Sequence, residues 1–228
     1  MKRFIYIILF ILCYGIFSTN YAQLLKIFSE GKGSIEIGLG YNKFFGFEPN
    51  EIYGREKTSF SLNAFYLTPT IRLNYQMEPL KYLTLRPFIG YDVFGGLEKS
   101  ESSNEFVEAN ELVGPLFYSI EIGIVTSYKF FDFQIGGGIK YNNHLKISHK
   151  VLDEFNLTDT WFAKESVDLG LRLSYAIEDF TIASEFWFSI TDLASFQNTE
   201  FDDYMNYDNN EYYDFNKNRF VLLIGYQF

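Results

Sequence analysis

Ile120-Glu-Ile-Gly-Ile-Val-Thr-Ser-Tyr128 alternates residue by residue. Ile120, Ile122, Ile124, Thr126 and Tyr128 fall on one side of an extended chain, and Glu121, Gly123, Val125 and Ser127 on the other. Successive Cβ atoms of a strand point to opposite faces, so this period of two predicts a strand with one apolar and one polar face. The same pattern runs outward in both directions. It predicts eight strands, roughly 34–45, 60–76, 81–95, 112–129, 132–146, 161–177, 180–195 and 216–228, and no segment sustains a helical period. Short turns are expected near Glu78-Pro79, Phe130-Phe131 and Glu178-Asp179, and long polar connections near 46–58, 96–111, 147–160 and 196–215. Short and long connections in alternation describe an all-β, eight-stranded antiparallel up-and-down β-barrel, with the asymmetry expected of a transmembrane β-barrel.

Composition narrows the alternatives. The 228 residues hold 29 acidic and 19 basic side chains, a formal charge of −10, which argues against nucleic acid as a partner because phosphates need a basic surface. Hydrophobic residues at 47% argue against disorder. A single Cys excludes a disulfide framework and a Cys-based metal cluster. The mean hydropathy near zero argues against a helical membrane protein, which needs apolar runs of about 20 residues.

Alternation alone leaves open which face is outside, since a soluble barrel of the lipocalin type would point its apolar face inward. Two features place the polar face inside. Gly38, Gly40, Gly90, Gly123, Gly136, Gly138, Gly170 and Gly225 all lie on it, with Gly137 the exception. Small residues belong where the wall meets a narrow lumen. Aromatics on the apolar face also form two bands. Tyr75, Tyr128, Tyr175, Phe180, Tyr226 and Phe228 lie beside the short turns, and Tyr41, Tyr91, Tyr118, Tyr141, Phe188 and Phe220 nearer the long loops. Two such bands around an aliphatic middle are the girdles of a membrane-spanning wall.

The start of the chain is expected to be an export signal over residues 1–22. Lys2 and Arg3 precede an apolar run from Phe4 to Phe17, and Ala22 offers a small residue before a cut at Gln23. Cys13 does not make a lipoprotein site, because Leu12 precedes it inside the apolar run. Residues 23–33 read as a periplasmic lead-in and residues 34–228 as the barrel.

Three stretches carry a resemblance: Ile35-Glu-Ile-Gly-Leu-Gly-Tyr41, the segment from Leu73 to Tyr91, and Phe220-Val-Leu-Leu-Ile-Gly-Tyr-Gln-Phe228. The chain resembles the eight-stranded outer-membrane β-barrel proteins of the type common in Bacteroidetes. That resemblance implies the outer membrane of a Gram-negative bacterium, with its lipid and lipopolysaccharide as surroundings. Phe220, Tyr226 and Phe228 resemble the terminal signal read by the outer-membrane assembly machinery. The group has varied roles, so the resemblance implies location and fold more than activity.

The search for chemistry yields no catalytic, cofactor-binding or metal residues. His144 is expected at the barrel mouth and His149 in the third long loop, both solvated. Barrel deacylases place Ser and His two apart on one strand face, whereas Ser148 is four from His144 and next to His149. The fourth loop, Glu200 to Asp214, is rich in Asp, Asn and Tyr, but its spacing matches no EF-hand. Its composition suits a contact surface for a protein partner. The leading expectation is a non-enzymatic barrel with a structural, adhesive or complex-forming role through its external loops. The alternative is transport, as a narrow pore or part of a secretion apparatus, with a lipid A-modifying enzyme a distant third.

The lumen decides between the first two. Tyr66, Phe88, Phe94 and Trp187 share the inward parity, as do Glu36, Arg72, Arg86, Asp92, Glu121, Lys140, Asp168, Arg172 and Glu185. A two-residue turn at Glu178-Asp179 puts Ile177 opposite Phe180 and hence Arg172 opposite Glu185. A tip at Phe130-Phe131 puts Glu121 opposite Lys140 by the same count. Arg72 and Arg86 are expected to face each other with an acid between them. Such pairing predicts an interior plug that fixes register rather than a proton or ion path.

Overall fold

The computed structural model describes residues 29–45, 67–95, 98–99, 112–113, 115–148, 153, 162–191, 193 and 216–228. Ten strands lie in them: β1 (Lys32–Phe45), β2 (Thr68–Leu80), β3 (Leu83–Gly95), β4 (Glu98–Lys99), β5 (Leu112–Val113), β6 (Leu116–Phe130), β7 (Phe133–Ser148), β8 (Glu165–Ile177), β9 (Phe180–Ser189) and β10 (Asn216–Gln227). Eight form one closed antiparallel barrel in the order β1-β10-β9-β8-β7-β6-β3-β2, and β4 and β5 pair apart from it as a small ribbon. Each barrel strand pairs with its neighbours in the chain, and β1 pairs with β10 from Ser34↔Gln227 to Phe45↔Asn216 to close the ring. Closure leaves no unpaired edge.

The wall is polar within and apolar without. Along β6 the inward Glu121 is fully buried while the outward Ile122 is 53% exposed. Outward Leu39, Leu73, Ile89, Leu171, Ile182 and Leu222 are likewise exposed in mid-strand. Aliphatic side chains bared around the whole girth would be costly in water, and hydrocarbon is the solvent that suits them. The chain therefore folds as a transmembrane β-barrel. Side chains project into the lumen, and among them Phe88, Val125, Ala183, Trp187, Val221 and Leu223 form an apolar cluster. Two inward glycines make the room for it. A Cβ on Gly170 would lie 2.3 Å from the Trp187 ring, and one on Gly123 would lie 2.4 Å from Phe88. The outward Gly137 has no such neighbour closer than 3.4 Å.

The turns differ from expectation in instructive ways. The β8–β9 turn is Glu178-Asp179, with Ile177 opposite Phe180 as predicted. The β6–β7 turn is Phe131-Asp132, one residue later than expected, with Phe130 opposite Phe133. In both turns the first residue alone has positive φ, 54° at Phe131 and 54° at Glu178, a conformation usually left to glycine. The β2–β3 turn is Lys81-Tyr82, not Glu78-Pro79. Pro79 stays inside β2 because the ladder shifts register between Met77 and Leu80, where its missing N–H costs no bond.

Strand ends also move. β1 starts two residues before Ser34 and β7 runs on to Ser148. The expected strand 112–129 is divided: Leu112 and Val113 belong to the ribbon, and Pro115 precedes β6. The expected loop 96–111 holds β4. β9 stops at Ser189 rather than running to 195, because Val167 N donates to the Thr191 hydroxyl at 2.9 Å and Ser189 donates to Thr191 O at 2.9 Å. Hydroxyls that bond the backbone in this way replace the ladder. Residues 60–66 of the expected second strand, including Tyr66, lie outside the described residues.

Candidate functional site: the charged lumen

Among the described residues, strand parity delivers eleven Asp, Glu, Lys and Arg side chains into the lumen, all buried. They fall into two tiers. The tier nearer the short turns joins three glutamates and three arginines. Arg172 donates to Glu185 Oε1 at 2.6 Å and to Glu36 at 2.6 and 3.1 Å. Arg72 is bonded through Nε to Glu121 and through Nη1 to Glu185. Arg86 donates to Glu36 Oε1 at 2.9 Å and is bonded to Gln76. Trp187 Nε1 donates to Glu185 Oε2 at 2.7 Å. Every glutamate oxygen in this tier has a donor. Arg72 also lies over Phe88, 4.7 Å from the ring centroid, so apolar packing and ion pairing share one plug.

The tier nearer the long loops joins Asp92 and Asp168 to Lys140, Lys217 and Arg219. Arg219 donates to Asp92 Oδ1 at 2.5 Å, and to Asn42 Oδ1 and Thr68 Oγ1 at 2.9 Å each. Lys217 Nζ lies 3.2 Å from Asp168 Oδ2 and 3.5 Å from the Phe94 centroid. Lys140 stands between the tiers. It donates to Glu121 Oε2 at 2.8 Å and lies 3.7 Å from both Asp92 and Asp168. Asn142 donates to Asp168 Oδ2 at 3.0 Å.

All nine expected lumen residues come together, with two changes of partner. Arg172 stands opposite Glu185 as counted. Glu121 stands opposite Asn142, not Lys140, because the β6–β7 turn lies one residue later and shifts the partner by two. A shift of two preserves the face, so Lys140 still reaches Glu121 on the diagonal. Arg72 and Arg86 do not face each other: Arg72 stands opposite Gly90 on β3 and Glu36 on β1. Arg72 pairs with Glu121 and Glu185 and Arg86 with Glu36, so these two arginines need no acid between them. Lys217, Arg219, Asn42, Gln76 and Asn142 are members that sequence reading missed. Lys217 and Arg219 share the parity of Val221, so carrying the β10 alternation two steps further back would have found them.

His144 is buried rather than solvated. Its Nδ1 is 2.7 Å from Ser119 Oγ, and its ring packs edge-on to Phe94 and Phe117 at 5.4 and 5.1 Å. His144 continues the inward parity of Lys140 and Asn142 and stands opposite Ser119 in the unbroken β6–β7 register, and the shift that leaves Leu145 in excess on β7 comes only beyond it. Among the described residues His144 Nε2 has no hydrogen-bond partner, and Ser119 is fully buried. Ser148 instead donates to Asp153 at 3.1 Å. His149 and the segment from Glu200 to Asp214 lie outside the described residues. Phe220, Tyr226 and Phe228 all face outward; Tyr226 packs on Phe180 at 5.3 Å, and Phe228 N donates to Gly33 O at 2.9 Å.

No protein-family model matches the chain, and no curated protein matches it in sequence. Solved structures similar to it are outer-membrane β-barrel proteins. Ail, the attachment invasion locus protein of Yersinia pestis, is 14% identical over 87% of this chain and 99% of its own, with a TM-score of 0.42. Neisserial surface protein A is 9% identical over 86% of this chain and 97% of its own, with a TM-score of 0.43. The outer membrane protein OprG of Pseudomonas aeruginosa is 9% identical over 87% and 94%, with a TM-score of 0.38. Identities this low transfer no role.

Proposed function

We propose that this chain is a non-enzymatic barrel of the Gram-negative outer membrane, exported through a cleaved signal, whose role is structural, adhesive or complex-forming. Its wall serves as a rigid mount in lipid and lipopolysaccharide, and its external loops make the contacts with a protein partner. One observation carries the reading. The Glu36–Arg172, Arg72–Glu185 and Arg72–Glu121 bridges join strands that are not neighbours, so they span the lumen instead of lining it. Eight strands leave little more room than their own side chains fill. A wall closed in this way passes no solute, and its exposed surfaces are what remain for recognition.

Two measurements test this. The purified barrel in planar bilayers should give no steady single-channel conductance. Cross-linking on intact cells should then recover a partner through the external loops. Steady conductance would replace this reading with a narrow pore, and altered lipid A in a deletion strain would replace it with an enzyme.

A further inference from the structure

We propose that the loop-side half of the lumen is a binding site for one small monovalent inorganic anion of the halide class, held by Lys217 and Arg219. The first ground is a charge count. Among the described residues, the buried Lys, Arg, Asp and Glu side chains comprise six cations and five carboxylates, an excess of 6 − 5 = +1. The turn-side tier is balanced, three arginines against three glutamates whose oxygens are all taken. The excess therefore falls in the loop-side tier, where three cations meet two carboxylates. An uncompensated charge sealed from water is costly, so a counter-charge belongs there.

The second ground is unused donor capacity in that tier. Arg219 Nε and His144 Nε2 are buried without a hydrogen-bond partner, and Lys217 Nζ, whose one near acid is Asp168 Oδ2 at 3.2 Å, keeps donor hydrogens to spare. Lys217 and His144 both rest against the Phe94 ring. In the tautomer whose Nδ1 accepts the Ser119 hydroxyl proton, Nε2 carries a hydrogen and adds a third donor. The acceptors left over, Asp92 Oδ2, Asn142 Oδ1 and Asp168 Oδ1, bound the charge of the guest. They would repel a second negative charge, which selects a monovalent ion. Phe94 and Phe117, stacked at 4.7 Å, line the same region and favour a weakly hydrated halide over sulfate. The balanced tier beneath makes the site a dead end, so the ion is bound and not passed.

The test uses the full mature chain refolded in detergent micelles. Thermal unfolding is followed in sodium bromide against sodium gluconate at equal ionic strength. The midpoint should rise saturably with bromide. Lys217→Gln brings the count to five and five, and its midpoint should not respond to bromide. Lys129→Gln, at the exposed pair with Glu78, should keep the native response. If Lys217→Gln does not fold, crystals of the native chain grown in bromide decide the matter. An anomalous peak in contact with Lys217 Nζ or Arg219 Nε is expected. No saturable shift, an equal shift in Lys217→Gln, or a site empty of bromide in those crystals would overturn the proposal; a neutral Lys217 amine would then balance the count.

Discussion

Arg172 holds two carboxylates at once, and its loss leaves three buried glutamates to two arginines, Glu36 with Arg86 alone and Glu185 with Arg72 and the Trp187 N–H. Arg172→Met should destabilise the barrel by roughly 3–5 kcal/mol, the usual cost of leaving a buried charge without its partner. Urea titration of the barrel refolded in lipid vesicles measures it, and a cost below about 1 kcal/mol would mean that water reaches the tier. The outer face makes an opposite demand. Ile122 lies between Tyr128 on the turn side and Tyr118 on the loop side, so it sits near mid-membrane. Ile122→Arg should cost roughly 2–4 kcal/mol, and unchanged folding in vesicles would count against this face meeting lipid. Parity made these residues legible in the sequence, because one turn of polarity per residue assigns every strand position to a face. It gave no distances. Whether Arg72 would meet Arg86 or Glu121 depended on barrel tilt and on side-chain length across the lumen, and neither is written in a single strand.

At the scale of elements, legibility followed turn chemistry. Glu178-Asp179 separates two clean alternations, and the count across it was right. Phe130-Phe131-Asp132 offered no Gly or Asn to mark the tip, and the turn fell one residue later, with Phe131 held at a positive φ. Pro79 read as a breaker, yet a bulge absorbed it. The same conformation gives a test. A non-glycine residue near φ +54° carries a steric cost of roughly 1–2 kcal/mol, against roughly 0.5–1 kcal/mol for the extra freedom that glycine loses on folding. Glu178→Gly should therefore leave the barrel as stable or up to about 1 kcal/mol more stable. Unfolding of that variant beside the native chain in one urea series checks it; a clear loss would show that the Glu178 side chain has a role of its own.

For the whole molecule the question is which end faces out. Short turns belong on the periplasmic side and long connections outside. An epitope tag inserted after Asn209 should bind antibody on intact cells, while one inserted after Glu178 should bind only after the membrane is opened. The reverse result would invert the topology. The architecture itself was legible throughout, since eight alternating segments with unequal connections admit few folds. The small β4–β5 ribbon was not, because two residues on each side are too few to show a period.

The bridges of the turn-side tier also bear on how such a wall can be put together. Glu36 and Arg172 stand 136 residues apart in the chain, and Arg72 and Glu185 stand 113 apart. Of the arginine–glutamate pairs among the described residues, only Arg172–Glu185 lies within a single hairpin. A half-finished sheet would hold its polar face open with the long-range partners missing, and lone ions do not enter hydrocarbon cheaply. Insertion one hairpin at a time would thus be penalised at each stage until the last seam joined. The plug makes entry and ring closure a single concerted event, and it makes extraction equally all-or-none. Such a barrel should show marked hysteresis between its unfolding and refolding curves.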